Sequence, residues 1–174
     1  MSLAVFILIL VTLQRIGELF LAENHTRRLI AVGGIEIGRE HYPLIVGFHA
    51  AWLLGLWLLA ADRSINWAWL AIFVGLQGLR VWVIASLGVR WTTRIIVLPG
   101  VPLVRKGPYR FVSHPNYIVV AAELAVLPLV FGLGLYALLF FLLNLGLMVV
   151  RISTENRALH GPPPHGFPPG ALPG

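Results

Sequence analysis

Residues with the chemistry of a binding site are concentrated in the polar loop 88–116 of this chain. His114 lies directly before Pro115, which holds it extended and allows a helix to begin there with unpaired backbone N–H groups. Such a helix start can bind a ligand. Tyr109 and Tyr117 flank it, and both are of the type found at membrane interfaces. Residues 95–104 are apolar but interrupted by two prolines, so they are predicted to be non-helical and to roof a pocket at the interface.

A second polar stretch, residues 151–157, follows the last apolar run. Arg151 and Glu155 are four positions apart, so they share one face of a helix that continues from that run. Taken alone, this spacing favours a salt bridge at a membrane boundary over a functional pair.

The composition excludes several kinds of protein. The chain has 174 residues, of which 58% are hydrophobic and only 11% are charged, whereas soluble domains carry roughly 25% charged residues. It is therefore predicted to be an integral membrane protein, with any chemistry at helix ends and in short loops. It has no cysteine, which excludes a disulfide scaffold, a thiolate nucleophile and cysteine-ligated metal sites. The net charge of +6 is read as membrane orientation rather than nucleic-acid binding.

The elements that must position these residues are apolar runs long enough for helices. Since a spanning helix needs about 20 residues, we expect an all-α integral membrane protein with about five transmembrane helices. The runs are 2–22, 43–61, 66–86, 117–131 and 135–150. The first carries Arg15 and Glu18 and lacks a cleavage site, so it is expected to be a retained helix. The last two are predicted to form a tight helical hairpin. Residues 1–159 are expected to form one domain, and 160–174 a flexible tail rich in proline and glycine.

Lysine and arginine are distributed unequally between the two sides of this arrangement. Ten lie on one side: Arg27, Arg28, Arg39, Arg90, Arg94, Arg105, Lys106, Arg110, Arg151 and Arg157. Only Arg63 lies on the other. The positive-inside rule therefore places both polar stretches in the cytoplasm and the N-terminus outside.

Charged residues within the runs need partners. Arg15 and Glu18 are predicted to pair within the first helix, and Glu123 is the natural partner of Arg80. Whether Arg80 or Glu123 contacts the active site or only locks the bundle stays open. His49 is expected to make an interhelical hydrogen bond.

The two polar stretches together resemble a known family. GPYRFVSHPNY at 107–117, followed by RISTEN at 151–156, is similar to the isoprenylcysteine carboxyl methyltransferase family. QRIGELFLAENH, GGIEIGREHYPLIVGFHAAWL and SLGVRWTTRIIVLPGV look more like a bacterial branch whose members O-methylate alkylpyrones or alkylresorcinol-type phenols beside type III polyketide synthases. With these segments the resemblance extends over most of residues 1–159.

The resemblance implies roles for individual residues. The residues that match the family's S-adenosylmethionine site are Val101, Pro102, Leu103, Val104, Tyr109, His114, Pro115, Asn116, Tyr117 and Glu155. Arg151 matches the arginine at the methyl acceptor and is the candidate catalytic residue. Two positions depart from the family pattern: Ser113 replaces an arginine, and Asn156 replaces a second glutamate.

The function implied is direct, in-line methyl transfer from S-adenosylmethionine to a carboxylate or to a phenol or pyrone hydroxyl. The acceptor would be a lipophilic or prenylated molecule delivered from the bilayer. The resemblance also implies that the protein lies in the bacterial inner membrane. No metal and no nucleic acid are implied. Three alternatives remain: a membrane sterol-type reductase, a phospholipid N-methyltransferase and a non-catalytic membrane protein.

Overall fold

The computed structural model describes residues 2–160, which form five α-helices, two short strands and the loops that join them. The elements are α1 (Leu3–Ala31), β1 (Ile35–Ile37), a 3-10 turn (Arg39–His41), α2 (Tyr42–Ala60), α3 (Trp67–Leu87), a 3-10 turn (Gly88–Arg90), β2 (Ile95–Val97), a 3-10 turn (Gly107–Arg110), α4 (Pro115–Val130) and α5 (Gly134–His160). The predicted tail lies outside the described residues, apart from His160.

Four of these helices, α1, α2, α3 and α5, are long and apolar enough to cross a membrane. The described residues thus form a mostly helical, multi-pass membrane protein. The fifth helix, α4, has 16 residues, so the expected count of five spans stays a prediction. Residues 131–133 alone join α4 to α5, and the two helices pack against each other.

Both terminal helices run beyond the apolar runs that predicted them. α1 continues to Ala31, because the polar residues after position 22 are compatible with a helix and Glu23 pairs with Arg27 one turn later, at 3.1 Å. α5 continues past Val150 to His160. As the spacing of Arg151 and Glu155 predicted, the two residues therefore lie on one helix.

Two short strands tie distant connections together. β1 precedes α2 and pairs antiparallel with β2, in the loop between α3 and α4. Ile35 lies opposite Val97, and Ile37 lies opposite Ile95. The non-helical character of residues 95–104 is confirmed, but the pairing of β2 with a segment 60 residues earlier is not apparent from the sequence.

The apolar core lies toward one end of the bundle. It is built from the first half of α1, the second half of α2 and the second half of α4, with Leu8, Leu56 and Leu127 fully buried. The opposite end contains the loop 88–114 and the end of α5. Which end faces the cytoplasm stays a prediction from the distribution of arginine.

Charged residues within the bundle form one network. The Arg15 guanidinium lies 3.0 Å from Glu18 and 2.9 Å from Glu123, and Arg80 lies 2.8 Å from Glu123. The predicted pairs Arg15–Glu18 and Arg80–Glu123 are therefore confirmed. The expectation for His49 is wrong: its Nδ1 hydrogen-bonds the Ile45 carbonyl of its own helix at 2.8 Å, because the carbonyl one turn earlier is within reach of the ring.

Candidate active site

A cavity of about 1380 Å³ lies where α3 ends, α4 begins and α5 ends. Its walls come from the loop between α3 and α4, including β2, and from the last turns of α5. Ligand pockets for single small molecules usually measure roughly 300–1,000 Å³. The volume is therefore sufficient for a nucleoside-sized ligand together with part of a second molecule.

The loop that forms this wall is anchored at Trp91, which is only 2% exposed. Its carbonyl oxygen accepts a hydrogen bond from His25 Nδ1 of α1 at 2.8 Å, and its indole Nε1 donates to Asn116 of α4 at 3.4 Å. Arg90 donates to the Pro102 carbonyl oxygen at 2.6 Å. These contacts fix a segment without regular secondary structure between two helices.

Gly107 fixes a second point of the loop against α3. Its φ of +57° lies in the left-handed region that favours glycine. A Cβ at this position would collide with the Ser86 hydroxyl and lie 3.2 Å from Trp82 Nε1. The GPY sequence therefore turns where only glycine fits, and it carries Tyr109 to the cavity wall.

The start of α4 and the end of α5 meet at Glu155. The Tyr117 hydroxyl donates to Glu155 Oε2 at 2.7 Å, and His114 Nδ1 lies 3.6 Å from the same oxygen. The rings of His114 and Tyr117 are 5.5 Å apart. The side chain of Glu155 remains 28% exposed, so this oriented carboxylate is still able to accept hydrogen bonds from a ligand.

Arg151 is a cation that lines this cavity, and the described residues offer it no carboxylate partner. In residues 2–160 no salt bridge to it is found, and its guanidinium donates to the Thr93 carbonyl oxygen at 2.9 Å. The guanidinium carbon lies 5.2 Å from the centroid of the Tyr117 ring. Its buried Nε has no hydrogen-bond partner. A partly buried cation with an unused donor is suited to binding an anion.

Tyr109 supplies a neutral donor to the same cavity. Burial raises the pKa of its phenol, and the negative charge of Glu155 raises it further. The phenol therefore stays protonated at neutral pH.

The structure brings together nearly all of the residues singled out from the sequence. The cavity is lined by Val101, Pro102, Leu103, Val104, Tyr109, His114, Asn116, Tyr117, Arg151 and Glu155. Pro115 does not line it; this residue is buried at the first turn of α4. Ser113 and Asn156, the two departures from the family pattern, also line the cavity. The roles of these residues stay predictions.

Other residues fall outside this cavity or were missed. Neither Arg80 nor Glu123 lines it. Arg90 and Trp91 line the cavity but were not singled out; a tryptophan beside an arginine in a polar loop was the available signal. Thr93, whose carbonyl oxygen accepts from Arg151, was not singled out either. In the described range no group of three or more His, Asp or Glu side chains could hold a metal ion.

Comparison with known proteins decides the family. The model of the isoprenylcysteine carboxyl methyltransferase (ICMT) family matches residues 69–161, which include α3, the cavity loop, α4 and α5. The chain belongs to the ICMT family. Membership implies methyltransferase activity at a membrane, with S-adenosylmethionine as the methyl donor.

Two bacterial relatives extend the similarity over most of the chain. The uncharacterized protein YpbQ of Bacillus subtilis (strain 168) is 39% identical over 152 residues, covering 84% of this chain and 90% of YpbQ. An uncharacterized protein of Haemophilus influenzae is 28% identical over 156 residues, covering 83% and 88%. Neither supports the alkylpyrone and alkylresorcinol branch, which stays a hypothesis. No solved structure matches the chain significantly.

Proposed function

We propose that this ICMT-family protein methylates an anionic oxygen of a lipophilic acceptor, with Arg151 holding the acceptor and Glu155 holding S-adenosylmethionine. The observation that carries the proposal is the pair of unlike groups on one wall of the cavity. Within residues 2–160 Arg151 has no carboxylate partner and its buried Nε is unpaired, whereas Glu155 is fixed by Tyr117 and stays partly exposed.

The chemistry of the cavity residues fits the cofactor. Bound S-adenosylmethionine supplies an electrophilic methyl group on a sulfonium sulfur. Glu155 offers a carboxylate for an ammonium or a ribose hydroxyl, and Tyr109 offers a protonated phenol. Val101 and Leu103 add apolar side chains to the wall.

Arg151 would act on the acceptor. A guanidinium beside a carboxylate or phenolate favours the ionised form and forms short, charge-assisted hydrogen bonds to it. Thr93 and the ring of Tyr117 hold the guanidinium in place, so its direction is set before the acceptor binds. Holding two reactants in line contributes up to about 7–11 kcal/mol to lowering the barrier. No covalent enzyme intermediate is required, in agreement with the absence of cysteine.

The large apolar surface supports a lipophilic acceptor. The cavity lies at the end of a bundle whose helices expose many large hydrophobic side chains, as in proteins surrounded by lipid. An amphiphile can therefore place its head group at Arg151 and keep its hydrocarbon in the bilayer. The proposal covers both kinds of anionic oxygen, a carboxylate and a phenolate.

The test is calorimetric titration of S-adenosylhomocysteine and S-adenosylmethionine into the detergent-purified protein. We expect saturable binding by the wild type, loss of binding in Glu155→Ala, and retained binding in Arg151→Ala. Asp62→Ala, which removes an exposed carboxylate in the turn after α2, serves as the matched control and should bind like the wild type.

Transfer itself is followed with methyl-labelled S-adenosylmethionine added to membranes containing each variant. Label should enter the organic-extractable fraction with the wild type and with Asp62→Ala, but not with Arg151→Ala. Absence of cofactor binding by folded wild-type protein would overturn the proposal. Equal loss of cofactor binding in Arg151→Ala and Glu155→Ala would overturn the division of roles.

A further inference from the structure

A second, much smaller cavity of about 20 Å³ lies beside Arg151. Arg94, Ile95 and Arg151 line both cavities, and Thr93 lines the small one. The small one is otherwise bounded by the start of α2, by β1 and by α5. A cavity of ~10–15 Å³ accommodates one water-sized group, so this cavity has room for about one oxygen atom of a larger molecule.

Two unpaired polar atoms belong to residues of this small cavity. In the described part of the chain, four buried side-chain nitrogen or oxygen atoms lack a hydrogen-bond partner, and His41 Nδ1 and Arg151 Nε are two of them. Glu40 Oε1 lies 3.5 Å from His41 Nδ1 without forming a hydrogen bond to it. Since buried polar groups are nearly always paired, two such atoms on one cavity make it suited to a polar group that pairs with them.

The surroundings favour an anionic oxygen over a neutral one. Arg151 has no carboxylate partner among the described residues, whereas Arg94, the other arginine here, is paired with Glu36 at 2.9 Å. His41 is also the N-cap residue of α2 and makes no side-chain capping hydrogen bond. The positive end of the α2 dipole therefore lies at the cavity.

We propose that this cavity binds one oxygen of the acceptor's anionic head group, between Arg151 and His41, so that His41 is a second acceptor-binding residue. The inference rests on the proposed function, and it assigns to the acceptor a head group that reaches from the large cavity past Arg151. The apolar chain of the acceptor then lies outside the cavity, on the surface beside Ile45 of α2 and Val150 of α5, which border it.

Deeper in the bundle, the seam between α2 and α5 is closed. The rings of Phe48 and Phe140 are 5.4 Å apart, and the Tyr136 hydroxyl donates to the Trp52 carbonyl oxygen at 2.7 Å. The acceptor chain consequently follows the outer, lipid-facing side of the seam from Ile45 and Val150.

The test uses a long-chain carboxylate, palmitate carrying a photoreactive diazirine close to its carboxyl group, with labelled peptides mapped by mass spectrometry. In the wild type we expect saturable labelling of the first turn of α2 and of α5 around Val150. In His41→Ala this labelling should fall by about tenfold, as expected for loss of a hydrogen bond to a charged group. Thr154→Leu, which fills the cavity and keeps both polar atoms, should also abolish it.

Two controls separate this inference from its alternatives. Arg39→Ala removes an exposed cation from the same 3-10 turn and should label like the wild type; labelling reduced as much as in His41→Ala would show general charge attraction and overturn the proposal. Labelling elsewhere, or none that saturates, would overturn it as well, since the cavity would then hold at most a water molecule.

S-adenosylhomocysteine binding is measured on the same variants. His41→Ala and Thr154→Leu are expected to retain it, which shows that they are folded. If the wild type fails to bind S-adenosylhomocysteine, the proposed function is contradicted. The labelling experiment tests the acceptor cavity independently of that result.

Discussion

Tyr117 serves both halves of the candidate active site. Its hydroxyl donates to Glu155 at 2.7 Å, while its ring lies 5.2 Å from the guanidinium carbon of Arg151. One side chain at the start of α4 therefore orients an anion and a cation that are a single helical turn apart on α5. The two contacts use different parts of the tyrosine, so they can be separated by removing only the hydroxyl.

Tyr117→Phe is expected to weaken S-adenosylhomocysteine binding by about three- to tenfold, since one hydrogen bond to a charged group is lost while the ring under Arg151 is kept. Calorimetry measures the change. Tyr136→Phe is the matched control, because its hydroxyl bonds the Trp52 carbonyl oxygen outside the cavity; it should bind like the wild type. Equal affinities of Tyr117→Phe and the wild type would show that Glu155 needs no such orientation.

At the scale of elements, the pairing of β1 with β2 decides where Arg151 is held. β2 follows Thr93, whose carbonyl oxygen accepts from Arg151, and Arg94 pairs with Glu36 of β1 at 2.9 Å. Gly34 allows the approach, because a Cβ there would lie 2.6 Å from the Leu29 carbonyl oxygen and 2.9 Å from Ile96 Cγ2. The end of α1, the two strands and the end of α5 are thereby coupled.

Gly34→Ala should therefore destabilise the protein by roughly 1–3 kcal/mol, the usual cost of overpacking. The clash is with a backbone oxygen, which cannot move without shifting the end of α1. Thermal unfolding in detergent measures it. Gly146→Ala, on α5 with nothing within 4 Å of the added methyl group, should unfold at or slightly above the wild-type temperature. A Gly34→Ala midpoint equal to that of Gly146→Ala would contradict the tight approach.

Features that depend on local sequence pattern could be predicted from the sequence. Apolar runs predicted the five helices, and a spacing of four placed Arg151 and Glu155 on one face of α5. The proximity of Glu155 to Tyr117 followed only from the family resemblance. The contact of Trp91 with α1 and α4, and that of β1 with β2, could not be predicted, because they join segments distant in the chain through a loop without periodicity.

At the scale of the whole molecule, the bundle is divided into three levels. The apolar core occupies one end, the network of Arg15, Glu18, Arg80 and Glu123 lies between, and the cavity opens at the other end. Two arginines and two glutamates balance in charge, and they connect α1, α3 and α4. Charged groups within a membrane are costly unless they are paired. The network therefore fixes the positions of α1, α3 and α4 relative to one another beneath the cavity.

Glu123→Gln tests that arrangement. Glu123 is 1% exposed and pairs with both Arg15 and Arg80, so its neutralisation leaves the buried guanidinium of Arg80 and the half-buried one of Arg15 to share Glu18. Removing one partner of a buried ion pair costs about 3–5 kcal/mol, and unfolding by denaturing detergent should shift accordingly. The substitution Glu40→Gln, at an exposed carboxylate, should change stability by less than about 0.5 kcal/mol.

Under conditions where Glu123→Gln is folded, its affinity for S-adenosylhomocysteine should match that of the wild type, because Glu123 does not line the cavity. A stable variant with lost affinity would instead assign Glu123 to the cofactor site and not to the bundle.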